Sequence, residues 1–442
     1  MTETSVGTHA VYDVAIIGAG PAGIAAAVRA AEAGGAGGGV VVIDEGLGPG
    51  GQIWRHRYAK PPARRAAQWI ARLDATRADV LRATSVVDVR ASRGGAFVIR
   101  AERVNEQTDI VAKRIVLATG ARELFLPFPG WTLPGVFGIG GVQALLKSGL
   151  SVRGKRIVIG GSGPLLLPVA ASLARAGARL LIVAEQAPAA SVFGYARSLW
   201  NRPAMLAQAA SLRLQFARAK YATDAWIERA TGDSCVREAT IRRGASSSHV
   251  ACDVVCTGFG LVPNVELARV IGCSVSDNAI VVDPRQETTV SGVFAAGEPT
   301  GIGGVDLALI EGEIAGAAAL GERLDSRLVA RRAALADGAE RMRRAFRVRD
   351  EVRCLATPET TVCRCEDVQS GALDRRWSAR QAKLYTRAGM GSCQGRICGA
   401  ALECLMGWPT DSVRPPVQPA RISTLLAEPP STEPLLTEPG VH

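Results

Sequence analysis

One stretch, residues 14–44, constrains the fold more than any other part of this 442-residue chain. The apolar run VAII is followed at once by the glycine-rich turn GAGPAG, and an alanine-rich helical segment comes next. A second apolar run, VVVI, then ends on Asp44 and Glu45. Strand, glycine turn, helix, strand and acid in this order form a dinucleotide-binding fingerprint. The sequence therefore predicts a parallel α/β sheet with a nucleotide at its carboxyl edge.

Each position of this turn has an expected role toward the nucleotide. The first glycine allows the tight turn, the second lets the backbone approach the pyrophosphate, and the third lets the helix pack close to the strand. The pyrophosphate would lie on free N–H groups at the helix N-terminus, and the acid would accept hydrogen bonds from ribose hydroxyls. The predicted nucleotide-binding residues are Gly18, Gly20, Pro21, Ala22, Gly23, Asp44 and Glu45.

A second, altered copy of the fingerprint begins near residue 156. A strand-like run leads to the turn GSGP, a helical segment follows, and a second strand-like run ends before Glu185. Leu166 stands where the third glycine is expected, so helix and strand cannot approach as closely. The pattern is compatible with a second nucleotide site and with a purely structural relic. No arginine follows Glu185 directly, so nothing here indicates a nucleotide with a 2′-phosphate. The candidate residues of this second site are Gly161, Ser162, Gly163, Pro164, Leu165 and Glu185.

Between the two fingerprints the patterns predict shorter elements. Residues 61–82 have the pattern of a basic amphipathic helix. Residues 83–100 alternate like two strands that turn at Gly94 and Gly95. Residues 126–135 are rich in proline and glycine and predict a crossing linker.

Composition limits the class of protein. The length predicts two or three domains. The net charge is +11, and many arginines lie in residues 327–353, yet only 5% of residues are aromatic and no nucleic-acid motif is found. A solvated helix face or a surface for an acidic protein partner is therefore favoured over nucleic acid. The N-terminal residues lack a basic and an apolar region, so no signal peptide is expected, and no apolar run is long enough to predict a membrane span.

Ten cysteines without an export signal favour a reducing compartment. We therefore expect a cytoplasmic protein, which partners could bring to the inner face of the membrane. Four of the cysteines form two close pairs, Cys363-x-Cys365 and Cys393-x4-Cys398. Paired thiolates can hold an iron–sulfur cluster or zinc, although C-x-C is an unusual spacing for zinc. Reduced structural thiols are the third alternative.

The order of the motifs resembles the flavoprotein reductases that have two dinucleotide folds. The shared motifs are GAGPAG, GGQ at residues 50–52, ATG at 118–120 and AAGE at 295–298. The resemblance implies FAD on the first fold, with its ribityl chain held by the acid of AAGE, where the family usually has aspartate. It also implies a helix near residue 305 whose N-terminus points at the flavin pyrimidine. The further cofactor-binding residues implied are Gly51, Gln52, Thr119, Gly120, Gly297, Glu298 and Val305.

A narrower resemblance covers nearly the whole chain. GGSGPLLLPVA, GFGLVPN, AAGEPTGIGGVDLAL, CRCEDV and TRAGMGSCQGRICG resemble the α-subunit type of opine oxidases, D-hydroxyproline dehydrogenases and hydrogen cyanide synthase. The C-terminal stretch resembles the bacterioferritin-associated-ferredoxin-like [2Fe–2S] domain, which implies that Cys363, Cys365, Cys393 and Cys398 are the metal ligands. In such complexes a sister flavoprotein of the amino-acid-oxidase type oxidises the C–N bond, and the α-subunit carries electrons. A small ferredoxin-like subunit is a further candidate partner, and NAD or another adenine nucleotide is a candidate for the second fold.

The expected fold class is α/β, with two Rossmann-like dinucleotide-binding domains of the glutathione-reductase type and a small helical C-terminal iron–sulfur domain. The predicted domains are the first part of the FAD-binding domain at 1–150, a second dinucleotide-binding domain at 151–272, the return to the FAD-binding domain at 273–325, a basic helical linker at 326–360, the iron–sulfur domain at 361–412 and a tail at 413–442.

Dithiol chemistry is not expected. Disulfide reductases of this type need a cysteine pair beside the flavin, and the only close pair before the C-terminal region is Cys252 and Cys256. These residues lie four apart on a predicted strand, so we expect both to point from the same face into a core. A role like that of thioredoxin reductase is therefore disfavoured.

No catalytic residue is assigned. His56 is the only histidine near the expected flavin and is therefore a candidate for an acid–base role. An ordinary loop histidine is the plainer interpretation. Arg55, Arg57 and Arg122 are the only candidates near those motifs to anchor a substrate carboxylate, and no convincing base accompanies them. We therefore expect a dehydrogenase subunit that does not oxidise substrate by itself. A stand-alone NAD(P)H-dependent reductase and a non-catalytic FAD-binding scaffold are the alternatives.

Overall fold

The computed structural model describes residues 11–34, 39–55, 63–92, 94–104 and 106–427. They form two compact units. The first contains the chain up to Arg122, Pro263–Ala339 and the residues from Val413 on, and the second contains Glu123–Val262 and Glu340–Ser412. The helix Ser326–Ala345 contributes residues to both units.

The first unit is built on a sheet of seven strands within the described chain. Val11–Ile17 lies at its centre and pairs in parallel with Val40–Ile43 and Glu106–Leu117. Two outer strands, Asp79–Leu81 and Val293–Ala295, continue the parallel part. The antiparallel hairpin Ser85–Ala91 and Phe97–Arg103 completes the sheet. The carboxyl ends of five parallel strands thus meet at one edge, which is where such sheets bind ligands.

Two helices of the first unit pack unusually close because both are rich in small residues. They are Pro21–Ala33, directly after the central strand, and Val305–Ala319. A Cβ atom on Gly312 would overlap the Ala22 carbonyl oxygen. The remaining elements of this unit are Arg64–Asp74, Glu266–Ile271, the short strands Val275–Ser276 and Ala279–Ile280, the 3-10 turn Glu298–Thr300 and the helix Ile422–Leu426.

The second unit contains a fully parallel sheet in the order Lys220–Thr223, Arg179–Glu185, Arg156–Gly161, Val254–Gly258 and Val136–Gly138. An antiparallel sheet of Ala225–Thr231, Glu238–Arg243 and Ser246–Ala251 accompanies it. The helices are Ile139–Lys147, Leu166–Arg175, Ala189–Ser198 and Pro203–Leu214. The short strands Ala121–Glu123 and Leu261–Pro263 lie where the chain passes between the units.

The C-terminal part of the second unit has its own small core. Its elements are Asp350–Arg353, the antiparallel strands Thr361–Cys363 and Val368–Gln369, the 3-10 turn Ser370–Ala372, and the helices Ala379–Thr386 and Cys398–Met406. Val362, Leu402, Leu405 and Trp408 pack in its centre around Cys363. No helix in the described residues has both the length and the apolarity needed to cross a bilayer.

The predicted α/β class with two Rossmann-like folds is confirmed, because both fingerprints form strand, turn, helix and strand units. The division between the units falls at residues 122 and 123 instead of 150 and 151, because Val136–Gly138 pairs with Val254–Gly258 in the second sheet. The predicted strand pair at 83–100 forms with bounds a few residues later. The predicted helix at 61–82 is too long, since Asp79–Leu81 extends the parallel sheet and only Arg64–Asp74 is helical among the described residues.

The two cysteines at 252 and 256 do not share a face, so that expectation was wrong. Cys252 precedes the strand Val254–Gly258, which breaks the alternation assumed between the two positions. Cys252 packs in a cluster with Val255, whereas Cys256 packs in another cluster with Val254. Both thiols are fully buried, and burial raises the pKa of Cys252 to about 11. They are packing residues, as expected.

The described part of the tail from residue 413 packs against the sheet of the first unit. The Val417 N–H donates to the Val87 carbonyl at 2.9 Å. The Arg100 guanidinium donates to the Thr424 carbonyl at 3.1 Å and is paired with Asp109 at 3.0 Å. The described end of the chain thus covers the antiparallel hairpin of that sheet.

Candidate functional site

The first glycine turn is tight enough that only glycine fits at two of its positions. Gly18 has a φ of +108°, and its N–H donates to the Ile43 carbonyl at 2.8 Å. A Cβ atom on Gly18 would overlap the Ala118 carbonyl oxygen, and one on Gly23 would overlap the Gly18 carbonyl oxygen. The helix therefore begins directly on the end of the central strand, as the fingerprint predicts.

Asp44 holds this turn from the neighbouring strand. One carboxylate oxygen accepts from the Ala19 N–H at 2.6 Å and the other from the Gly46 N–H at 2.7 Å. Each carboxylate oxygen can accept more than one hydrogen bond, and the side chain is only half-buried. Asp44 can therefore hold the turn and still accept from ribose hydroxyls. Glu45, the other predicted acid, is exposed.

Three segments converge around Gly20. The Gly50 N–H donates to the Ala19 carbonyl at 2.7 Å, and a Cβ atom on Gly51 would come within 3.0 Å of the Gly20 Cα. A Cβ atom on Gly297 would lie 2.8 Å from the Ala22 side chain. These contacts bring GGQ and AAGE to the fingerprint, beside Pro21 at the first position of the helix.

The space over Gly20 is open. A Cβ atom at this position would meet no heavy atom of the described residues within 4 Å. Gln52 is exposed at the neighbouring turn. An open surface at a helix N-terminus, bordered by half-buried Asp44, fits the pyrophosphate and ribose of a flavin nucleotide. The residues at this turn therefore fit the FAD that the sequence implies.

The ATG turn is fixed by Asn264. The Thr119 hydroxyl donates to the Asn264 carbonyl at 2.7 Å, and the Asn264 N–H donates to the Gly120 carbonyl at 3.0 Å. The Arg122 guanidinium donates to the Asn264 side chain at 2.8 Å and pairs with Glu266 at 2.8 Å. Arg122 thus has a structural role, which leaves it poorly suited to anchor a substrate carboxylate. Arg55 is exposed.

Two of the candidates named from the sequence lie outside the described residues. They are His56 and Arg57. The interpretation of His56 as an ordinary loop residue stays a prediction.

Glu298 lies at the start of the helix that the flavin interpretation requires. Its carboxylate accepts from the N–H groups of Gly303 and Gly304 at 3.2 and 3.1 Å. The helix begins at the next residue, Val305, as predicted. Burial raises the pKa of Glu298, against the effect of these two hydrogen bonds. The carboxylate and the helix N-terminus therefore lie side by side, as the resemblance implies.

The sequence interpretation missed a buried pair that supports the AAGE loop. Glu311 is 1% exposed, and one carboxylate oxygen accepts from the Gly297 N–H and the Thr300 hydroxyl, each at 3.0 Å. Its other oxygen pairs with the Arg332 guanidinium at 3.0 Å. The signal available was a glutamate in the middle of a helical stretch made mostly of small and apolar residues, because such a group is rarely buried without partners.

In the second fold the acid points inward. Glu185 is 0% exposed, and its two oxygens accept from the N–H groups of Gly163 and Ala187, each at 2.8 Å. Burial raises the pKa of Glu185 to about 7. The helix begins at Leu166, which is also fully buried, so Pro164 and Leu165 precede it as a turn. The predicted second nucleotide residues therefore include an acid that cannot reach a ligand in the crevice.

The crevice beside this turn is covered by the chain itself. The Ser162 hydroxyl donates to the Phe346 carbonyl at 2.7 Å. A Cβ atom on Gly163 would lie 3.6 Å from the Phe346 side chain, which therefore lies over this glycine. Gly161, the last residue of the preceding strand, is buried. The residues around Ser162 and Gly163 do not fit a second dinucleotide as they stand.

The four predicted metal-ligating cysteines come together as two pairs. The thiol of Cys363 contacts that of Cys398, and Cys365 contacts Cys393. The Gly389 N–H donates to the Cys363 sulfur at 3.4 Å. Hydrogen bonding from Cys398 lowers the pKa of Cys363, which favours the thiolate form of this side chain. The thiolate is the form that binds metal.

The pairwise arrangement bears on which metal group fits. In the described chain no three cysteine, histidine or acidic side chains share one centre. Zinc would require four ligands around a single ion, whereas a [2Fe–2S] cluster takes two thiolates on each iron. Two close thiol pairs are the ligand grouping that such a cluster uses. A Cβ atom on Gly391 would collide with Cys365, so the backbone is close to this pair.

The fold and the open turn at Gly20 define a flavin-dependent oxidoreductase with two dinucleotide folds. The chain matches the family model "Pyridine nucleotide-disulphide oxidoreductase" over residues 12–318. It belongs to this family and, within it, to the group that contains the A subunits of opine oxidases. The resemblance inferred from the sequence motifs is thereby confirmed, and the chain is an FAD-dependent oxidoreductase.

Two relatives are similar over most of their length. The A subunit of opine oxidase from Rhizobium meliloti strain 1021 is 32% identical, across 95% of this chain and 99% of that protein. The HcnB subunit of hydrogen cyanide synthase from Pseudomonas aeruginosa is 31% identical, across 87% of this chain and 90% of that protein.

Solved structures agree with the fold. The crystal structure of L-proline dehydrogenase from P. horikoshii matches with a TM-score of 0.65 at 20% identity, over 95% of this chain and 80% of that one. Thioredoxin reductase from T. acidophilum matches with a TM-score of 0.56 at 21% identity, over 71% of this chain and 99% of that one. At these identities the likeness concerns the fold alone.

Replacing Gly20 by valine should remove FAD without unfolding the protein. The position has room for a side chain, but that side chain would occupy the surface expected to hold the pyrophosphate. We expect at least about a tenfold loss of bound flavin, which corresponds to about 1.4 kcal/mol. Flavin absorbance after purification measures this. Gly194→Val, at another open glycine, is the control and should keep its flavin. Full flavin content in Gly20→Val would contradict the assignment.

Glu185 should make stability depend on pH. Its pKa of about 7 in the fold lies above its ordinary value of 4.5, so the folded protein keeps a proton that the unfolded chain releases between these values. Stability should therefore fall as the pH rises through this range, by up to about 3 kcal/mol. Glu185→Gln should lose this slope in urea unfolding at pH 5 to 8, whereas exposed Glu106→Gln should keep it. Equal slopes in Glu185→Gln and the unchanged protein would show that this carboxyl is not responsible.

Proposed function

We propose that this chain is the electron-relaying component of a heteromeric dehydrogenase acting on the C–N bond of an amino or imino acid, such as D-hydroxyproline or an opine. The observation that carries this proposal is the similarity over 95% of the chain to a protein named as the A subunit of opine oxidase. The second relative is likewise named as one subunit of a synthase. Both names describe parts of larger enzymes.

The first unit supplies the means to hold FAD. The turn at Gly18 to Gly23 presents the helix N-terminus to the pyrophosphate, and Asp44 offers its remaining lone pairs to ribose hydroxyls. Glu298 offers a carboxylate for the ribityl chain, and the helix beginning at Val305 favours negative charge in front of it. When bound, FAD accepts two electrons and passes them on.

The same unit lacks a built anchor for substrate among its described residues near these motifs. Arg122 is paired with Glu266 and bonded to Asn264, and Arg55 is exposed to solvent. An amino-acid substrate would need a guanidinium that grips its carboxylate and a closed pocket beside the flavin. We therefore assign hydride removal from the carbon that bears nitrogen to a partner flavoprotein of the amino-acid-oxidase type.

The C-terminal module is proposed to hold a [2Fe–2S] cluster on Cys363, Cys365, Cys393 and Cys398. The two thiol pairs and the nearby N–H of Gly389 support this assignment. Such a cluster passes single electrons, so it would link a two-electron flavin to a one-electron acceptor. A small ferredoxin-like subunit is a second candidate partner.

The helix Ser326–Ala345 is the candidate docking element. It carries the arginine-rich sequence and contains no buried residue. Three of its arginines are paired, Arg343 and Arg344 with Glu340 and Arg332 with Glu311, and the overall positive charge of the helix is suited to an acidic partner surface. We place the complex in the cytoplasm, because ten cysteines without any disulfide in the described chain suit a reducing compartment.

A stand-alone NAD(P)H-dependent reductase is the competing function. Rhodocoxin reductase of Rhodococcus erythropolis is 30% identical, but over only 45% of this chain. That activity requires nicotinamide on the second fold, where Phe346 covers Gly163. The competing function is therefore less well supported. A scaffold without turnover would be recognised by a flavin that no partner reduces.

The isolated chain should not oxidise substrate at a significant rate. Purified protein loaded with FAD should show no dye reduction with D- or L-hydroxyproline, proline, sarcosine or opines. Addition of the partner that co-purifies from the native cell should restore turnover by at least about 100-fold, since the missing anchor would then be supplied. Robust turnover by the isolated chain on any of these compounds would overturn the relay assignment.

Iron content tests the cysteine module separately. Protein purified without oxygen should contain about two irons per chain and give the EPR signal of a reduced [2Fe–2S] cluster. Replacement of Cys363, Cys365, Cys393 or Cys398 by serine should abolish the signal. Cys404→Ser is the matched control and should keep it, because this thiol packs with Val348 and Val352, away from the pairs. Stoichiometric zinc without iron in the unchanged protein would refute the cluster.

A further inference from the structure

The nucleotide crevice of the second fold lies at the carboxyl edge of its parallel sheet. Four neighbouring strands of the five are followed there, in sheet order, by Asp224, Gln186, Ser162 and Phe259. All four contact one stretch of the chain, residues 346–352, which we name the crossing segment. It lies between the long helix ending at residue 345 and the cysteine module.

Hydrogen bonds fix the backbone of the crossing segment. The Ser162 hydroxyl donates to the Phe346 carbonyl at 2.7 Å, and the Gln186 amide donates to the Arg347 carbonyl at 3.1 Å. The side-chain oxygen of Gln186 in turn accepts from the backbone N–H of Arg349 at 3.1 Å. Gln186 is 0% exposed, and its amide also donates to Ser162 at 2.8 Å. Three positions of the segment are thus bound by buried polar groups at the strand ends.

The Arg349 side chain binds the crossing segment to the end of the outer strand, Lys220–Thr223. Its guanidinium is hydrogen bonded to the Asp224 carboxylate and lies over the Trp226 ring at 4.8 Å. It also donates to the Gln186 backbone carbonyl at 3.4 Å. A guanidinium that is paired and stacked at the same time is well ordered.

Apolar side chains fill the remaining space. Val348 is 9% exposed and Val352 is 0% exposed, and both pack with Phe259 and Trp226. The Phe346 side chain lies over Gly163, and the Tyr195 ring contacts it edge-on with a centroid distance of 5.3 Å. The surface that would face a pyrophosphate is therefore covered by an aromatic ring, which binds no anion.

We propose that this crevice is a socket for the chain's own crossing segment and takes no nicotinamide or adenine nucleotide. A dinucleotide would have to displace Phe346 and break the bonds to Ser162 and Gln186. It would gain no ribose contact from Glu185, whose oxygens accept from backbone N–H groups inside the fold. The fingerprint of the second fold thus serves as an internal docking site.

The socket also fastens the cysteine module to the second fold. The module follows the crossing segment directly in the chain, and the Trp131 indole donates to the Thr361 carbonyl at its first strand at 2.6 Å. Leu355 packs in the same cluster as Val348 and Val352. The crevice and a tryptophan of the second fold therefore hold the start of the module.

Nucleotide titration tests the proposal on the full chain loaded with FAD. Calorimetry with NAD⁺, NADH, ADP and ATP should show no saturable binding up to about 1 mM, which corresponds to a binding free energy weaker than about 4 kcal/mol. Saturable binding of any of the four with a Kd below about 100 μM would overturn the proposal.

Hydrogen exchange tests the contacts themselves. Asp224→Asn removes the charge that holds Arg349 and keeps a residue that tolerates the positive φ of this position. It should raise amide exchange at least about tenfold in residues 346–352 and 161–166, since local opening becomes easier. Arg347→Ala is the control, because the exposed side chain is removed while its bonded carbonyl stays. Equal exchange in the two variants would contradict the role of the socket.

Calorimetry measures nucleotide binding and hydrogen exchange measures local opening, so neither depends on turnover. The proposal extends beyond the relay function and does not rest on it. Turnover by the isolated chain would overturn the relay function and leave the socket standing. Tight NADH binding without reduction of the flavin would overturn the socket and leave the relay function standing.

Discussion

The close approach of backbone at the first glycine turn is the constraint on which the rest of the first unit depends. A Cβ atom on Gly18 would overlap the Ala118 carbonyl oxygen, and one on Gly23 would overlap the Gly18 carbonyl oxygen. This contact starts the helix Pro21–Ala33 directly at the end of the central strand, and Gly312 lets the helix Val305–Ala319 pack against it. Because these helices are fixed, the loops carrying Gly51 and Glu298 reach the same place. The open space over Gly20 lies where these segments meet.

The two dinucleotide folds share a plan but differ in what covers the turn. In each fold one acid accepts hydrogen bonds from a backbone N–H of the glycine turn and from the N–H two residues after the acid itself. This acid is Asp44 in the first fold and Glu185 in the second. Asp44 stays half-buried beside an open surface, whereas Glu185 is fully buried. In the second fold Phe346 takes the place over the glycine turn. One framework therefore serves a ligand in the first unit and a segment of the same chain in the second.

Local chemistry explains how much the sequence could predict. The fingerprints were found because glycine requirements and apolar strand runs are local signals, and AAGE was found by resemblance. The paired partners of Arg122, the burial of Glu311 against Arg332 and the contact of Phe346 with Gly163 join residues far apart in sequence, and no periodic pattern encodes them. The strand Val136–Gly138 was missed because three residues after a proline-rich stretch give almost no signal. The shared face expected for Cys252 and Cys256 failed because the strand begins between them.

The central claim is that the chain carries one nucleotide, FAD in the first fold, and that its second fold is filled by residues 346–352. Protein purified from its native cell should be denatured, and the released nucleotides identified and counted by chromatography with mass spectrometry. The account predicts about one FAD per chain and no stoichiometric NAD, NADP, ADP or ATP, because one crevice is open over glycine and the other is closed by an aromatic ring. A second nucleotide at about one per chain, or protein that never contains FAD, would contradict it.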